Sequence, residues 1–215
     1  MALNALELTN LTTAVPATTP RGNWRSGLPA LSGTMITLRE LRASDAQDLL
    51  AALGTAEVTR LISPPPPTIE GFEKFIAWTA RQREEGKSLA FGVCLKDTDT
   101  VIGLFQVRSL TSGFDIAEWG FALGSDYWGT GIFADGAHLV LDFAFDVVGV
   151  RRLEAKAAVR NGRGNGALQK LGAVQEAVLR RSFLRNGVYM DQAYWTIFAA
   201  AWREVRSVPK ARIVY

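Results

Sequence analysis

Two glycines one residue apart, Gly129 and Gly131, stand just ahead of a run in which Phe133, Ala137, Val140, Leu141, Ala144 and Val148 fall on one helical stripe. A Gly-rich turn that opens a helix can hold an anion. The first N–H groups of the helix lack intrahelical partners, and its dipole favours negative charge there, so a phosphorylated ligand is the natural guest. The turn Trp128-Gly129-Thr130-Gly131-Ile132-Phe133 has neither the Gly-Lys-Ser/Thr ending of a P-loop nor the third glycine of a dinucleotide fingerprint. Taken alone, the two glycines are also compatible with a purely structural tight turn. Upstream, Glu118 alternates with Gly120 and Ala122 on one face of a strand-like run, while Trp119, Phe121 and Leu123 fall on the other. A carboxylate among small residues leaves room for a ligand and can take a proton, directly or through water; it also reads as a solvated carboxylate paired with a Lys or Arg. Downstream, Asn161 stands at a helix start, where it can cap the helix or offer its amide to a ligand.

The remaining reactive side chains point away from catalysis. Cys94, the single cysteine, alternates with Phe91, Val93 and Leu95 and reads as a buried structural thiol. His138, the single histidine, shares a helix face with Asp135 and Asp142, which reads as a solvated face. No metal is expected.

These residues need elements to position them. Residues 1–33 are rich in Thr, Asn, Ala, Gly and Pro, with Pro16, Pro20 and Pro29 interrupting regular structure, and read as an extended or docked arm before a domain of 34–203 and a tail of 204–215. The domain opens with a strand over Ile36–Leu41, then a capping box at Ser44-Asp45-Ala46-Gln47 and a helix through Leu53. Pro64 to Pro67 form a stiff spacer, and Thr68 caps a second helix carrying Phe72, Phe75 and Ile76 at helical spacing. Three strands follow as an antiparallel meander, over Leu89–Leu95, Val101–Val107 and Ile116–Leu123. After the Gly-rich turn and its helix come a strand over Arg152–Val159, a helix from about Gly164 to Leu171 ended by Gly172, and strands over 174–183 and 189–198. This order implies an α+β, three-layer αβα fold rather than a doubly wound one.

Composition bounds the reading. A chain of 215 residues, 48% hydrophobic and 21% charged, suits one globular domain. No apolar run reaches the roughly 18 residues of a membrane span and no secretory signal opens the chain, so a cytoplasmic protein is expected, and no membrane partner. A net charge of +3 is compatible with an anionic ligand and falls short of the clustering expected of a nucleic-acid binder, so no nucleic-acid partner is expected. A homodimer is left open.

Taken with its surroundings, the Gly-rich turn resembles that of the GNAT superfamily of N-acetyltransferases. There, a fourth strand splays from a fifth, and a Gln/Arg-x-x-Gly-x-Gly/Ala segment wraps the pyrophosphate of acetyl-coenzyme A. Trp128-Gly129-Thr130-Gly131 is similar to the Trp-Gly-x-Gly variant of the RimJ/RimL-like branch, the ribosomal-protein N-terminal acetyltransferases. Asn161, eleven residues before Gly172, and the run Ala167-Leu168-Gln169-Lys170-Leu171-Gly172 resemble a second block of that branch. Ala117-Glu118-Trp119-Gly120-Phe121 and the stretch from Tyr189 to Trp195 resemble it too, so the likeness covers about Ile36 to Trp202. Two departures stand out. Phe133 occupies a position where the family prefers a small residue, so either its ring points to the core or the helix start is displaced; Gly164 stands where many relatives carry Ser.

The resemblance implies a mostly antiparallel mixed sheet with helices on both faces and a splayed strand pair. It implies acetyl-coenzyme A as cosubstrate, held by the strand edge Phe121, Ala122 and Leu123, by the turn Trp128, Gly129, Thr130, Gly131, Ile132 and Phe133, and by Asn161 and Gly164. Glu118 is the expected base, and Tyr189, Tyr194 and Trp195 the expected lining of the acceptor pocket. The acceptor would be a primary amine, on a protein N-terminus or a small molecule. N-terminal amines, with pKa of about 7.7–8.0, are about 3 kcal/mol easier to deprotonate at neutral pH than lysine, at about 10.4, so a weak base would suffice for them. A non-catalytic coenzyme A-binding sensor of the same fold is the alternative, motivated by Phe133 and Gly164.

Overall fold

The computed structural model describes residues 23–207. One eight-stranded sheet organises them. Strands β1 (Leu31–Ser32), β2 (Ile36–Glu40), β3 (Ser88–Leu95), β4 (Val101–Ser109) and β5 (Ile116–Leu123) follow one another antiparallel. β6 (Arg152–Ala158) runs parallel to β5, and β7 (Val174–Arg185) and β8 (Val188–Phe198) form a hairpin whose second strand inserts beside β6. The fold is the expected α+β one, with a mixed, mostly antiparallel sheet and helices on both faces.

On one face α1 (Ala46–Leu53), α2 (Ala56–Thr59) and α3 (Ile69–Glu84) bury Leu49, Leu53, Val58, Phe72 and Ile76 against Ala90, Cys94, Val101 and Leu104. On the other, α4 (Ile132–Asp142), α5 (Gly162–Lys170) and α6 (Ala199–Ser207) cover a core built on Phe91, Phe105, Trp119, Leu153 and Trp195. Thr68 caps α3 as expected, its hydroxyl accepting from Gly71 N at 3.0 Å. Gly172 follows α5 with φ 83°, the left-handed stop that glycine provides at no steric cost. The cap of α1 differs from the expected Ser44 box. A single 3₁₀ turn, Ala43–Asp45, precedes the helix, and the Asp45 carboxylate accepts from Arg42 N at 2.7 Å while ion-pairing with Arg39.

The N-terminal stretch is bound to the body from residue 23 onward. Trp24 is 3% exposed and meets Phe114 edge-on, Leu28 N donates to Glu40, and β1 pairs with β2. Pro16 and Pro20 lie outside the described residues. The tail expected from residue 204 begins inside α6. Because Trp24 fills the core, Trp24→Ala is expected to cost about 3–5 kcal/mol of stability, measured by urea denaturation. A loss below about 1 kcal/mol would mean that Trp24 adds no core of its own.

The feature that matters for function is a short parallel pairing. β5 and β6 are joined only over Ile116–Glu118 and Arg152–Glu154; beyond Glu118 the strands diverge, leaving Trp119–Leu123 and Ala155–Ala158 facing each other across a wedge. Helix α5 and the turn into α4 begin at the open end of that wedge.

Candidate functional site

A cleft of about 1080 Å³ opens where β5 and β6 part. Its floor is the sheet face that α1 and α3 leave uncovered. Strand register puts Ser88, Arg108, Glu118 and Glu154 in one row across β3, β4, β5 and β6, so their side chains share a face. Gln106 and Gly120 form the next row on that face. The opposite wall is apolar, made by Phe72, Phe75 and Trp78 of α3 and by the run Leu61 to Pro67.

Glu118 lies in this floor, as strand alternation predicts, with Gly120 and Ala122 lining the cleft beyond it. Its side chain is 22% exposed and is not unpartnered: Arg108 donates to one carboxylate oxygen and Lys156 Nζ lies 3.4 Å from the other. The paired carboxylate weighed from sequence is therefore what the structure contains. Phe121, Ala122, Asn161 and Gly164 also line the cleft. Leu123 and the turn from Trp128 to Phe133 do not; they continue from the end of β5, past the wedge, into α4.

The turn is held by its own hydrogen bonds. Trp128 Nε1 donates to Leu123 O at 2.9 Å, the Arg163 guanidinium stacks 4.6 Å over the Trp128 ring, and Thr130 Oγ1 donates to Tyr127 O at 2.8 Å. Gly129 has φ 76° and Gly131 φ 93°, so both sit in the left-handed region that L-residues avoid. A Cβ on Gly129 would meet no protein atom within 4 Å, and one on Gly131 only the flexible tip of Met35, at 3.1 Å. The concave side is therefore open backbone, which suits a phosphate-sized anion. Phe133 turns to the core side: its ring lies 4.4 Å from that of Phe121 and 6.0 Å from that of Phe105, and α4 starts at Ile132 without displacement.

Asn161 caps α5, its Oδ1 accepting from Gly164 N at 2.9 Å; the amide N–H₂ of the same side chain has no hydrogen-bond partner among the described residues. A Cβ at Gly164 would lie 2.7 Å from that Asn161 Nδ2, so glycine is the residue that lets this cap close.

The aromatic residues expected to line an acceptor pocket do not line this cleft. Trp195 is 6% exposed in the core, its indole N–H bonded to Asn165 Oδ1 at 2.9 Å. Tyr194 shares a face with the cleft-lining Gln192, but its ring packs under Arg152, and burial together with Glu154 pushes its phenol above the ordinary range. Tyr189 is exposed near the hairpin turn. Phe183 and Gln192 line the cleft from β7 and β8 instead. Sequence reasoning also missed Arg108 and Lys156, whose signal was the alternation of their strands, and the wall formed by Phe72, Phe75 and Trp78, whose signal was their three-residue spacing behind the prolines.

Cys94 is buried, and burial pushes its thiol up, which keeps it protonated and inert. The face of His138 is not simply solvated. Asp135 accepts from Thr34, Met35 and Ile36 N at 3.0, 2.7 and 3.3 Å, His138 packs 5.3 Å from the Trp202 ring, and Asp142 accepts from Trp202 Nε1 at 2.8 Å. These residues clamp the start of β2 and helix α6 onto α4.

Known proteins share this arrangement. The acetyltransferase (GNAT) domain family matches residues 35–174. An uncharacterised N-acetyltransferase of Bacillus subtilis (strain 168), YoaA, is 26% identical over 170 residues, covering 79% of this chain and 96% of its own. Among solved structures, a GCN5-related N-acetyltransferase from Brucella melitensis superposes with a TM-score of 0.71 at 22% identity, over 86% of this chain and 84% of that one. A ribosomal-protein-S5-alanine acetyltransferase from Vibrio fischeri superposes with a TM-score of 0.72 at 20% identity, over 81% of this chain and 98% of that one. With the family match spanning most of the chain and the fold shared with these structures, the chain belongs to the GNAT acetyltransferase family.

Proposed function

We propose that the protein transfers an acetyl group from acetyl-coenzyme A to a primary amine by direct attack within a ternary complex, and that it sits in the RimJ/RimL-like branch of its family, acting in the cytoplasm. The observation that carries this reading is the wedge between β5 and β6 lying next to a turn with two left-handed glycines.

The residues fit the cosubstrate. Gly129, Thr130, Gly131, Ile132 and Phe133 would take the pyrophosphate on backbone N–H groups at the start of α4, flanked by Trp128, where the helix dipole favours negative charge. The β5 edge from Phe121 to Leu123 would receive the pantetheine arm as an added strand, with the Asn161 amide and the backbone at Gly164 beside it. Bound acetyl-coenzyme A supplies a thioester, an acyl group already activated towards amines.

The protein's own residues then bind the amine in the cleft and hold it against the wedge, which converts a bimolecular encounter into an oriented one. Glu118 takes the proton the amine sheds, through water or after its ion pairs loosen, while Arg108 and Lys156 hold the carboxylate in place. The buried, protonated Cys94 leaves no covalent route through a thiol.

Branch membership is supported by the Trp128-Gly129-Thr130-Gly131 and Asn161 to Gly172 blocks and by the likeness to the Vibrio fischeri enzyme. The coenzyme A-sensor alternative loses its argument from Phe133, whose ring packs into the core. Direct attack predicts intersecting double-reciprocal lines when acetyl-coenzyme A and amine are varied together. Parallel lines would indicate an acyl-enzyme and overturn the ternary complex.

A further inference from the structure

The cleft constrains the amine it takes. Its charged lining residues are Arg108, Glu118 and Lys156, two cations to one carboxylate, while Glu154, next to Glu118 in the row, is not part of the lining and ion-pairs with Arg152. Arg108 is 58% exposed along its side chain, leaving guanidinium N–H groups free to meet a ligand. Beside Arg108 in register stands Ser88, only 3% exposed. Its Oγ is the one buried side-chain polar atom without a hydrogen-bond partner among the described residues, and Ser88 lines this same cleft. An orphan hydroxyl beside an exposed guanidinium is a place for a carboxylate, which would accept from both. The opposite wall is aromatic. Phe72 and Phe75 meet edge-on, Phe75 and Trp78 stack at 6.1 Å, and Trp78 keeps 40% of its surface uncovered. A flat ring would cover that surface.

Resting on the acetyltransferase reading above, we infer that the preferred acceptor is a primary amine carried on a flat apolar ring that also bears a carboxylate. Polycationic amines are disfavoured, because a second ammonium would face Arg108 and leave Ser88 unpaired.

Three acceptors test this with the amine and ring held constant: para-carboxybenzylamine, para-methylbenzylamine and para-(aminomethyl)benzylamine, whose para groups are anionic, neutral and cationic. The expected kcat/KM follows that order, with about a tenfold advantage of the anion over the neutral ring, the worth of one hydrogen bond to a charged group. Arg108→Gln should bring the ratio of anionic to neutral acceptor down towards one. Should that variant fold poorly, Ser88→Ala should lower the same ratio in a protein whose melting temperature without ligand is unchanged or higher, since an unpaired buried hydroxyl has been removed. Turnover of the dication as fast as the carboxylate, or a ratio unmoved in both variants, overturns the inference. Failure of all three ring amines while other amines are acetylated also overturns it and leaves the transferase reading intact; absence of thiol release with any amine would sink both.

Discussion

Glu118→Gln is expected to lower kcat by roughly 10²–10⁴-fold, the usual worth of a general base, while leaving the affinity for acetyl-coenzyme A unchanged. The two effects separate because Glu118 stands at the last paired position before β5 and β6 diverge, whereas the contacts proposed for the cosubstrate lie further along β5 and in the turn. Glutamine keeps the shape and can still accept a hydrogen bond from Arg108 or Lys156, so the fold should survive; what it loses is the charge that receives the proton. Acceptors with lower amine pKa should lose less, since more of each arrives neutral. A carboxylate held between two cations could instead serve only to anchor them. In that case Glu118→Gln would leave kcat unchanged across a series of acceptors, and the enzyme would depend on orientation and on amine already deprotonated.

Gly131→Val is expected to abolish the stabilisation that acetyl-coenzyme A confers. At a ligand concentration of 100 Kd, binding to the native state alone is worth about 2.7 kcal/mol, or a rise of roughly 5–11 °C for a domain of this size. The substitution adds a branched side chain at φ 93°, on the face where phosphates would approach the backbone. Strain alone would also lower the melting temperature, so a control is needed. Gly172 provides it: it has φ 83° and no atom within 4 Å of its would-be Cβ, and it follows the C-terminus of α5 rather than opening α4. Gly172→Ala should destabilise through backbone strain yet keep the full acetyl-coenzyme A shift. If a folded Gly131→Val protein keeps the shift, the turn is not the binding site.

What the sequence disclosed follows from how local each signal is. Thr68, Gly172 and the alternation of β3 to β5 act within a few residues of themselves, and each was placed correctly. The turn was visible for the same reason, because two glycines in the left-handed region leave a mark in composition. Trp24 was hidden by its surroundings: a proline- and threonine-rich stretch carries no periodicity, yet one indole suffices to dock it. That Tyr189, Tyr194 and Trp195 do not line the cleft was not legible, because nothing local tells which face of β8 meets it. Trp195 shares the core-facing parity of Ala193 and Ile197, while Tyr194, on the cleft-facing parity, is drawn to Arg152 and Glu154. A bulge in β7 places Glu176 as the extra residue, where Arg152 and Thr196 hold it, and such a register shift has no signature in the strand's own residues. The splay of β5 from β6 depends on a three-residue parallel pairing between segments far apart in the chain, which no local pattern encodes.

The most direct test of the account is the release of free thiol from acetyl-coenzyme A by the purified full-length chain, followed with and without a panel of primary amines and checked by the mass of the acetylated product. The account predicts saturable release that depends on the amine and matches the acetylated amine in amount. Saturable binding of acetyl-coenzyme A with no amine-dependent release on any acceptor would contradict it, and the fold would then serve as a coenzyme A-binding module.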